Sequence, residues 1–363
     1  MSEKAGEHIV VAGATGLVGR AAVEHFARAG YRTTALSRRS MFETYGAEFR
    51  PVDLGDRVAC EAALGDIRDC TRIVFAALHE EPDLVAGWHS EAQIRRNGAM
   101  LANMVDVIAA ASRSLRHVTI FQGPKAYGGH VQPIAPTSRE LRDDRRDIAN
   151  FYWVQQDYLE RKAREGGWAW TVLRPSMVIG EGVGAAMNLV AAIGVYAALL
   201  KERGEPLYFP STAGNIFEPS DTDLIARAID WSGTSTTAAN RVFNLTNGEV
   251  FAMQDLGPAI AAALGMEPGP VRPVEFVREM PSRTAEWDRI RARYSLRAPG
   301  FEEYLGHSWQ FIDFCFTKGE DLVAGLVSTV AIRQAGFAET MYSDEMFTKW
   351  FRRYQADGLL PPP

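Results

Sequence analysis

Short apolar runs alternate with amphipathic, helix-like stretches through the first half of the chain. The runs are rich in β-branched residues and predict strands, while the stretches between them repeat apolar residues at helical spacing. Such alternation is typical of a parallel sheet whose strands are joined by right-handed helical crossovers. The predicted strands are Ile9–Ala12, Thr33–Leu36, Phe49–Val52, Ile73–Ala77, Val118–Phe121 and Thr171–Leu173.

The pattern changes in the second half of the chain. The apolar stretch Met187–Leu200 predicts a buried helix, because a membrane span needs about twenty residues. Short strands follow near Leu207–Phe209 and Val242–Leu245, and the remainder is mostly helical. We therefore predict a nucleotide-binding domain over residues 1–180 and a smaller lobe over residues 181–363, with some lobe segments returning to the sheet.

Three further patterns bear on the arrangement of the chain. Apolar residues at helical spacing predict a long helix over Arg95–Ala111, and the charged stretch Pro133–Asp147 predicts an exposed loop. The last third is rich in aromatic residues, which helical core packing explains; a pocket lining is the alternative. These residues are Trp287, Tyr304, Trp309, Phe311, Phe314 and Phe316.

Composition limits the classes of function. The 363 residues are 47% hydrophobic and 23% charged, as in an ordinary soluble enzyme, and carry a net charge of −6. An acidic chain is a poor general ligand for nucleic acids or anionic membranes. The three cysteines lack metal-ligand spacing, and the first residues lack the apolar core of a secretory signal. We therefore expect reduced thiols, no metal and a cytoplasmic location.

The segment after the first predicted strand carries a strong chemical signal. Gly13, Gly16 and Gly19 follow at three-residue spacing, directly before a helical pattern. Glycine at these positions permits a sharp turn, a close backbone approach to a pyrophosphate and tight packing of helix on strand. The helix N-terminus supplies free N–H groups to the phosphates. The sequence therefore predicts a dinucleotide site at this turn.

The end of the second predicted strand indicates which dinucleotide binds. This position faces the adenosine ribose, where NAD-binding sites carry an acidic residue. Arg38 and Arg39 stand there instead and can bind a 2′-phosphate, which favours NADPH. The alternative is that they are only solvent-exposed residues of a loop. Asp53, after the third strand, either accepts a hydrogen bond from the adenine amino group or initiates a turn before Gly55.

Two tyrosines are candidates for the catalytic residue. Tyr152 and Tyr158 lie on one predicted helix, and six residues of helix rotate them about 600° apart, so both cannot face one nicotinamide. Lys162 follows Tyr158 by four residues, whereas Gln156 holds the same place after Tyr152. Lys125 follows the fifth strand, at the sheet edge where ligands bind, although lysines there are commonly only solvated.

The chain resembles the progesterone 5β-reductase and iridoid synthase-like enzymes, an atypical branch of the extended short-chain dehydrogenases. The resemblance implies a Rossmann-type, doubly wound parallel sheet with a smaller, mainly helical substrate lobe, and it allows a homodimer. The motifs that carry it span nearly the whole chain: GATGLVG (Gly13–Gly19), SRR (Ser37–Arg39), QGPKAYG (Gln122–Gly128), NFYW (Asn150–Trp153), MNLVAAIGVYAALLK (Met187–Lys201), SDTDLIA (Ser220–Ala226), FNLTNGEVF (Phe243–Phe251) and GFAETMYSDEMFTKWF (Gly336–Phe351).

The resemblance assigns roles to individual residues. Short-chain dehydrogenases place the catalytic tyrosine 22 residues before an Arg-Pro pair and eight before a glutamate, which selects Tyr152 and leaves Tyr158 with Lys162 as a surface pair. The family's catalytic lysine falls on Lys125. The implied cofactor contacts, besides the glycines, are Thr15, Leu17, Arg38, Arg39, Asp53, Leu54, Leu78, Phe121, Val178, Ala185, Ala186 and Met187.

The implied substrate pocket includes Met177, Phe217 and Phe311. Met177 and Phe217 replace polar residues of the plant enzymes, so steroid specificity does not carry over to this chain.

Three functions follow as hypotheses. The resemblance implies NADPH-dependent 1,4-reduction of the activated C=C bond of an enone or enal, with Tyr152 and Lys125 acting on the carbonyl oxygen. The alternative is a carbonyl reductase or an epimerase/dehydratase of the same superfamily, against which Gln156 counts because the usual proton relay needs lysine there. A third is a non-catalytic NADP-binding regulator, which would need neither Tyr152 nor Lys125.

Overall fold

A computed structural model describes residues 6–134, 137–210, 216–316 and 325–363. The strands are β1 His8–Ala12, β2 Arg32–Ser37, β3 Glu48–Pro51, β4 Cys70–Phe75, β5 His117–Phe121, β6 Ala169–Pro175, β7 Met177–Ile179, β8 Leu207–Phe209, β9 Ile216–Phe217, β10 Pro219–Asp221, β11 Arg241–Leu245, β12 Phe251–Ala252 and β13 Pro268–Val271. The helices are α1 Leu17–Arg28, α2 Arg57–Leu64, α3 Leu84–Gly87, α4 Glu91–Ala111, α5 Phe151–Gly166, α6 Leu189–Lys201, α7 Thr222–Thr234, α8 Gly257–Ala263, α9 Phe276–Glu279, α10 Thr284–Tyr294, α11 Phe301–Leu305, α12 Ser308–Phe316, α13 Val330–Gln334 and α14 Ser343–Ala356.

Seven parallel strands form the central sheet, in the order β11-β6-β5-β4-β1-β2-β3. Successive residues of β1 face opposite layers: Val10 and Ala12 pack with α4 and α5, whereas Ile9 and Val11 pack with α1 and α7. Both faces of the sheet are therefore covered, which confirms the predicted doubly wound fold. The strand order reverses between β1 and β4, and ligands bind at such a switch point, beyond the carboxyl ends of the strands.

The predicted strands coincide with β1 to β6, but some ends differ. β4 ends at Phe75 and not at Ala77, because the chain turns away beside the glycine turn. There the Ala76 N–H still donates to the Ala12 carbonyl at 3.0 Å. A Cβ on Gly13 would lie only 2.5 Å from the Ala76 carbonyl oxygen. The end of β4 is thus shaped by the turn that follows β1.

The second half of the chain forms an apolar cluster of its own and also adds a strand and a helix to the sheet domain. The predicted buried helix is α6, which lies in a large apolar cluster with residues of α10, α12 and α14. β11 returns to the sheet and pairs with β6, and α7 packs against α1. The C-terminal region is mainly helical, as predicted, while the division at residue 180 stays a prediction.

The predicted exposed loop over Pro133–Asp147 is wrong in part. Ile134 and Ser138 are buried, and the Asp144 side chain is only 6% exposed. The reason is a buried cation: the carboxylate of Asp144 pairs with Arg174 at the end of β6. A buried guanidinium needs such a partner, and a charged stretch of the chain supplies it.

Candidate active site

A cavity of about 980 Å³ lies beyond the carboxyl ends of β1, β2, β4 and β5. The turn before α1, the N-terminal turn of α5, the segment before α6 and part of α12 complete its wall. Its wall includes the predicted catalytic residues Tyr152 and Lys125 and the predicted pocket residues Met177, Phe217 and Phe311. The predicted cofactor residues in its wall are Gly13, Thr15, Gly16, Leu17, Arg38, Arg39, Asp53, Leu54, Leu78, Phe121, Val178, Ala185, Ala186 and Met187.

Gly19 differs from the other predicted cofactor residues because it is absent from this wall. A Cβ at Gly19 would lie 2.1 Å from the Gly13 carbonyl oxygen, so this glycine allows α1 to pack on the turn. Gly13 itself has φ +79, a conformation that favours glycine. The turn thus brings free N–H groups at the start of α1 to the cavity, which fits a dinucleotide pyrophosphate.

The two arginines after β2 differ in their surroundings. The Arg39 guanidinium donates hydrogen bonds to the carbonyls of Gly184 at 3.2 Å and Val183 at 3.4 Å, which ties the strand end to the segment before α6. Among the described residues, Arg38 makes no hydrogen bond or ion pair, and it lines the cavity. Asp53 initiates a turn, because its carboxylate accepts from the Gly55 N–H at 2.9 Å.

Tyr152 stands in the first turn of α5, which Asn150 caps by accepting from the Tyr152 N–H at 3.1 Å. Its hydroxyl oxygen lies 3.4 Å from the position that a Cβ on Gly123 would take, so the phenol faces the segment after β5. Within the described part of the chain this hydroxyl has no hydrogen-bond partner. Burial raises the pKa of Tyr152 well above its ordinary value of 10.0, and the phenol is therefore neutral at pH 7.

Lys125 lies in a 3₁₀ turn directly after β5 and is surrounded by aromatic rings. Its Nζ is 4.6 Å from the ring centroid of Trp88, 5.6 Å from that of Phe151 and 5.7 Å from that of Tyr152. No described carboxylate lies within ion-pair distance of this nitrogen. Burial lowers the pKa of Lys125, and the negative charge of Glu80 opposes that shift. The Lys125 nitrogen, without a carboxylate partner in the described structure, is thus available to a ligand oxygen.

The lysine position of ordinary short-chain dehydrogenases has a structural role here. Gln156 accepts a hydrogen bond from the Gln122 side chain at 3.0 Å and donates to Glu160 at 2.9 Å. The competing pair, Tyr158 and Lys162, binds Asp106 of α4 at 2.8 and 3.2 Å, outside the cavity. Among the described residues, the cavity wall therefore contains one tyrosine and one lysine, and they come from different segments.

Arg174 connects these two segments. It is fully buried and donates to Asp144, to Gln122 Oε1 at 2.7 Å and to the Tyr127 hydroxyl at 3.1 Å. Gln122 in turn donates to the Tyr152 carbonyl at 3.2 Å. One buried guanidinium thus holds the turn that carries Lys125 and the first turn of the helix that carries Tyr152.

Three wall residues were not predicted as site residues. Glu80, Trp88 and His130 line the cavity around Lys125. They come from the segment after β4 and from the chain after the 3₁₀ turn. The position of Glu80 soon after a strand end was an available signal, but nothing local indicates that Trp88 and His130 turn towards Lys125.

Some aromatic residues of the last third pack in the core, and others line the cavity. Trp287 and Tyr304 are buried and stacked, with ring centroids 5.8 Å apart, whereas Phe311 and Phe314 line the cavity. In the described ranges, no helix has the length and hydropathy to cross a membrane, and no group of three or more metal-ligating side chains is found.

The chain is similar to known proteins over most of its length. Residues 9–219 match the model of the NAD dependent epimerase/dehydratase family. The chain is 27% identical to the (S)-8-oxocitronellyl enol synthase ISY1 of Nepeta cataria, over 97% of this chain and 92% of that protein. It is 25% identical to a 3-oxo-Delta(4,5)-steroid 5-beta-reductase of Arabidopsis thaliana, with the same coverage, 97% and 92%. These relatives confirm the resemblance stated from the sequence motifs.

Solved structures support the fold. A UDP-glucose 4-epimerase of Thermotoga maritima superposes with a TM-score of 0.67 at 16% identity, covering 96% of this chain and 99% of that chain. The Bordetella bronchiseptica enzyme WbmH, solved in complex with NAD+, gives 0.66 at 14% identity, covering 97% and 99%. At these identities the likeness establishes the architecture alone.

Replacement of Arg174 tests whether it holds the site together. We expect Arg174→Met to lower the free energy of unfolding by about 3–5 kcal/mol, because Asp144 is left buried without its partner. Arg95→Met is the matched control, since the Arg95 side chain is 72% exposed and its ion pair with Glu91 is worth little. Urea unfolding of both variants measures the difference. Equal stabilities would contradict an anchoring role for Arg174.

Proposed function

The chain belongs to the NAD dependent epimerase/dehydratase family, and we propose that it catalyses the NADPH-dependent 1,4-reduction of the activated C=C bond of an enone or enal. The observation that carries the proposal is the pairing of Tyr152 and Lys125 in one cavity, while Gln156 occupies the usual lysine position. Two relatives, one named as an enol synthase and one as a steroid reductase, support this proposal.

The residues present fit a nicotinamide dinucleotide. The glycine turn can adopt this conformation only because Gly13 and Gly19 lack a Cβ, which would meet the backbone of Ala76 and of Gly13, and the start of α1 directs N–H groups to the cavity. Arg38, without a partner in the described chain, suits the 2′-phosphate of NADPH. When bound, the cofactor supplies the hydride that is added to the β-carbon of the substrate.

Tyr152 acts on the substrate carbonyl oxygen. Hydride addition to the β-carbon moves negative charge onto this oxygen, and a hydrogen-bond donor held in place beforehand stabilises that charge. Because burial keeps Tyr152 protonated, it is suited to donate and not to act as a base. A protonated tyrosine suits the reductive direction, in which it donates to the carbonyl oxygen.

Lys125 supplies positive charge beside the same oxygen. Its ammonium lies 5.7 Å from the centre of the Tyr152 ring and has no described carboxylate within ion-pair distance. A cation in a partly dehydrated pocket stabilises an enolate more strongly than it would in water. The pair therefore replaces the tyrosine–lysine relay in which both residues come from one helix.

The proposal predicts which substrates oxidise NADPH and which residue limits the rate. We expect 2-cyclohexenone to be reduced and cyclohexanone to be left unchanged. Tyr152→Phe should lower kcat for 2-cyclohexenone by about 100- to 1000-fold, as loss of one oxyanion donor does in other enzymes, with little change in NADPH affinity. The decrease in NADPH absorbance measures turnover, and fluorescence titration measures binding.

Tyr158→Phe is the matched control for this experiment, because Tyr158 binds Asp106 outside the cavity. It should retain turnover. Reduction of cyclohexanone alone would favour the carbonyl reductase. Tight NADPH binding with no turnover of any enone, enal or ketone would favour the non-catalytic regulator, and unchanged turnover in Tyr152→Phe would remove Tyr152 from the mechanism.

The preference for NADPH over NADH should depend on Arg38. We expect Arg38→Ala to weaken NADPH binding by about 10- to 100-fold, as loss of a charge-assisted hydrogen bond does, and to leave NADH binding unchanged. Arg28→Ala is a control, because its side chain is 67% exposed on α1 and pairs with Glu24. If wild type binds both dinucleotides equally, the 2′-phosphate is not recognised.

A further inference from the structure

The wall around Lys125 contains buried polar atoms without partners. In the described structure, Glu80 Oε1, Trp88 Nε1 and both ring nitrogens of His130 are buried and make no hydrogen bond. All three residues line the cavity, and His130 is only 9% exposed. Buried polar groups are nearly always satisfied, so unpaired ones at a cavity wall point to a ligand.

The segment that carries two of these residues is firmly held. Gln93, itself buried, donates to Glu80 Oε2 at 2.6 Å and accepts from the Glu81 N–H at 2.8 Å. Gln310 accepts from the Leu84 N–H at 2.9 Å. The Glu80 carboxyl group is therefore held through Oε2, while its Oε1 and the Trp88 Nε1 have no hydrogen-bond partner in the described structure.

The three groups lie close to one another. The Lys125 ammonium is over the Trp88 ring, and the Trp88 and His130 rings meet edge to face with centroids 6.5 Å apart. His130 also stacks on His89 at 5.3 Å. Burial raises the pKa of the Glu80 carboxyl, and the neighbouring Lys125 and Trp88 side chains oppose that shift. We call Glu80, Trp88 and His130 the polar subsite.

The unpaired atoms define the chemistry of the ligand group. A carboxylate oxygen requires a donor and an indole N–H requires an acceptor, and neutral imidazole has one of each. A hydroxyl group provides both, whereas a ketone or an ether oxygen only accepts. A ligand group that carries a charge would also lose its hydration in this buried wall, which costs more free energy than burying a neutral group. The polar subsite thus matches a neutral hydroxyl.

We propose that Glu80, Trp88 and His130 bind a hydroxyl group of the substrate, so that the preferred substrate is an enone or enal that carries a hydroxyl. The inference rests on the proposed function and names the substrate class for it. The apolar wall residues Met177, Phe217 and Phe311 receive the hydrocarbon part of the same molecule.

A series of enals tests the proposal on the full-length enzyme with NADPH. The probes are 2-hexenal, its 4-hydroxy and 6-hydroxy derivatives, and the methyl ether of each, which accepts but cannot donate a hydrogen bond. We expect one hydroxyl derivative to have a kcat/KM about tenfold or more above both the parent and its ether, as one hydrogen bond to a charged group provides.

Two variants locate the preference and correct for differences in intrinsic reactivity. Trp88→Phe removes the indole N–H but keeps a ring beside Lys125, and Glu80→Gln removes the charge. In each, the hydroxyl-to-parent ratio of kcat/KM should fall to within about threefold of one. Trp231→Phe is the matched control, because this indole packs against Phe243 and Phe337 away from the cavity, and it should keep the wild-type ratio.

The outcomes separate this inference from the proposed function. Reduction of 2-hexenal without any hydroxyl preference, or with equal preference for the methyl ether, would overturn the polar subsite and leave the reductase proposal standing. A preference that persists in both Trp88→Phe and Glu80→Gln would also overturn it. Failure to reduce any enal, 2-hexenal included, would instead contradict the proposed function.

Discussion

The buried ion pair of Arg174 and Asp144 is the interaction on which the site depends. Arg174 lies near the end of β6, and its guanidinium reaches Gln122, three residues before Lys125, and Tyr127, two residues after it. Tyr127 extends this hydrogen-bond network to β11, because its hydroxyl donates to Asn244 at 2.6 Å. The network therefore joins β5, β6, β11 and α5 at the sheet edge where the cavity opens.

This network explains how the two proposed catalytic groups can come from separate segments. When tyrosine and lysine share a helix, helical geometry alone fixes their separation. Here Lys125 lies in a turn and Tyr152 begins a helix, so their separation depends on what binds those two elements together. Gln122 does so directly, with its side-chain amide on the Tyr152 carbonyl and on Gln156. Gln156 therefore helps to hold α5 beside Gln122. In this arrangement Lys125, and not residue 156, is the proposed catalytic lysine.

Much of the fold followed from local patterns, whereas the polar contacts did not. The strands and the glycine turn obey periodicity and backbone sterics, which act within a few residues. The pairing of Arg174 with Asp144 spans 30 positions in a charged stretch that reads as a solvated loop. Likewise, Arg39 contacts the carbonyl of Gly184, 145 positions away, a contact that no local pattern can indicate. The motif resemblance indicated the cavity residues, but it contained no information about Glu80, Trp88 and His130.

The central claim is that Tyr152 and Lys125 stabilise charge on a carbonyl oxygen while hydride is added two carbons away. The most direct test uses NADPH deuterated at both C4 hydrogens of the nicotinamide, with an enal as substrate, and locates the label in the product by NMR. The account predicts deuterium on the β-carbon of a saturated aldehyde. Deuterium on the former carbonyl carbon of an allylic alcohol would contradict it.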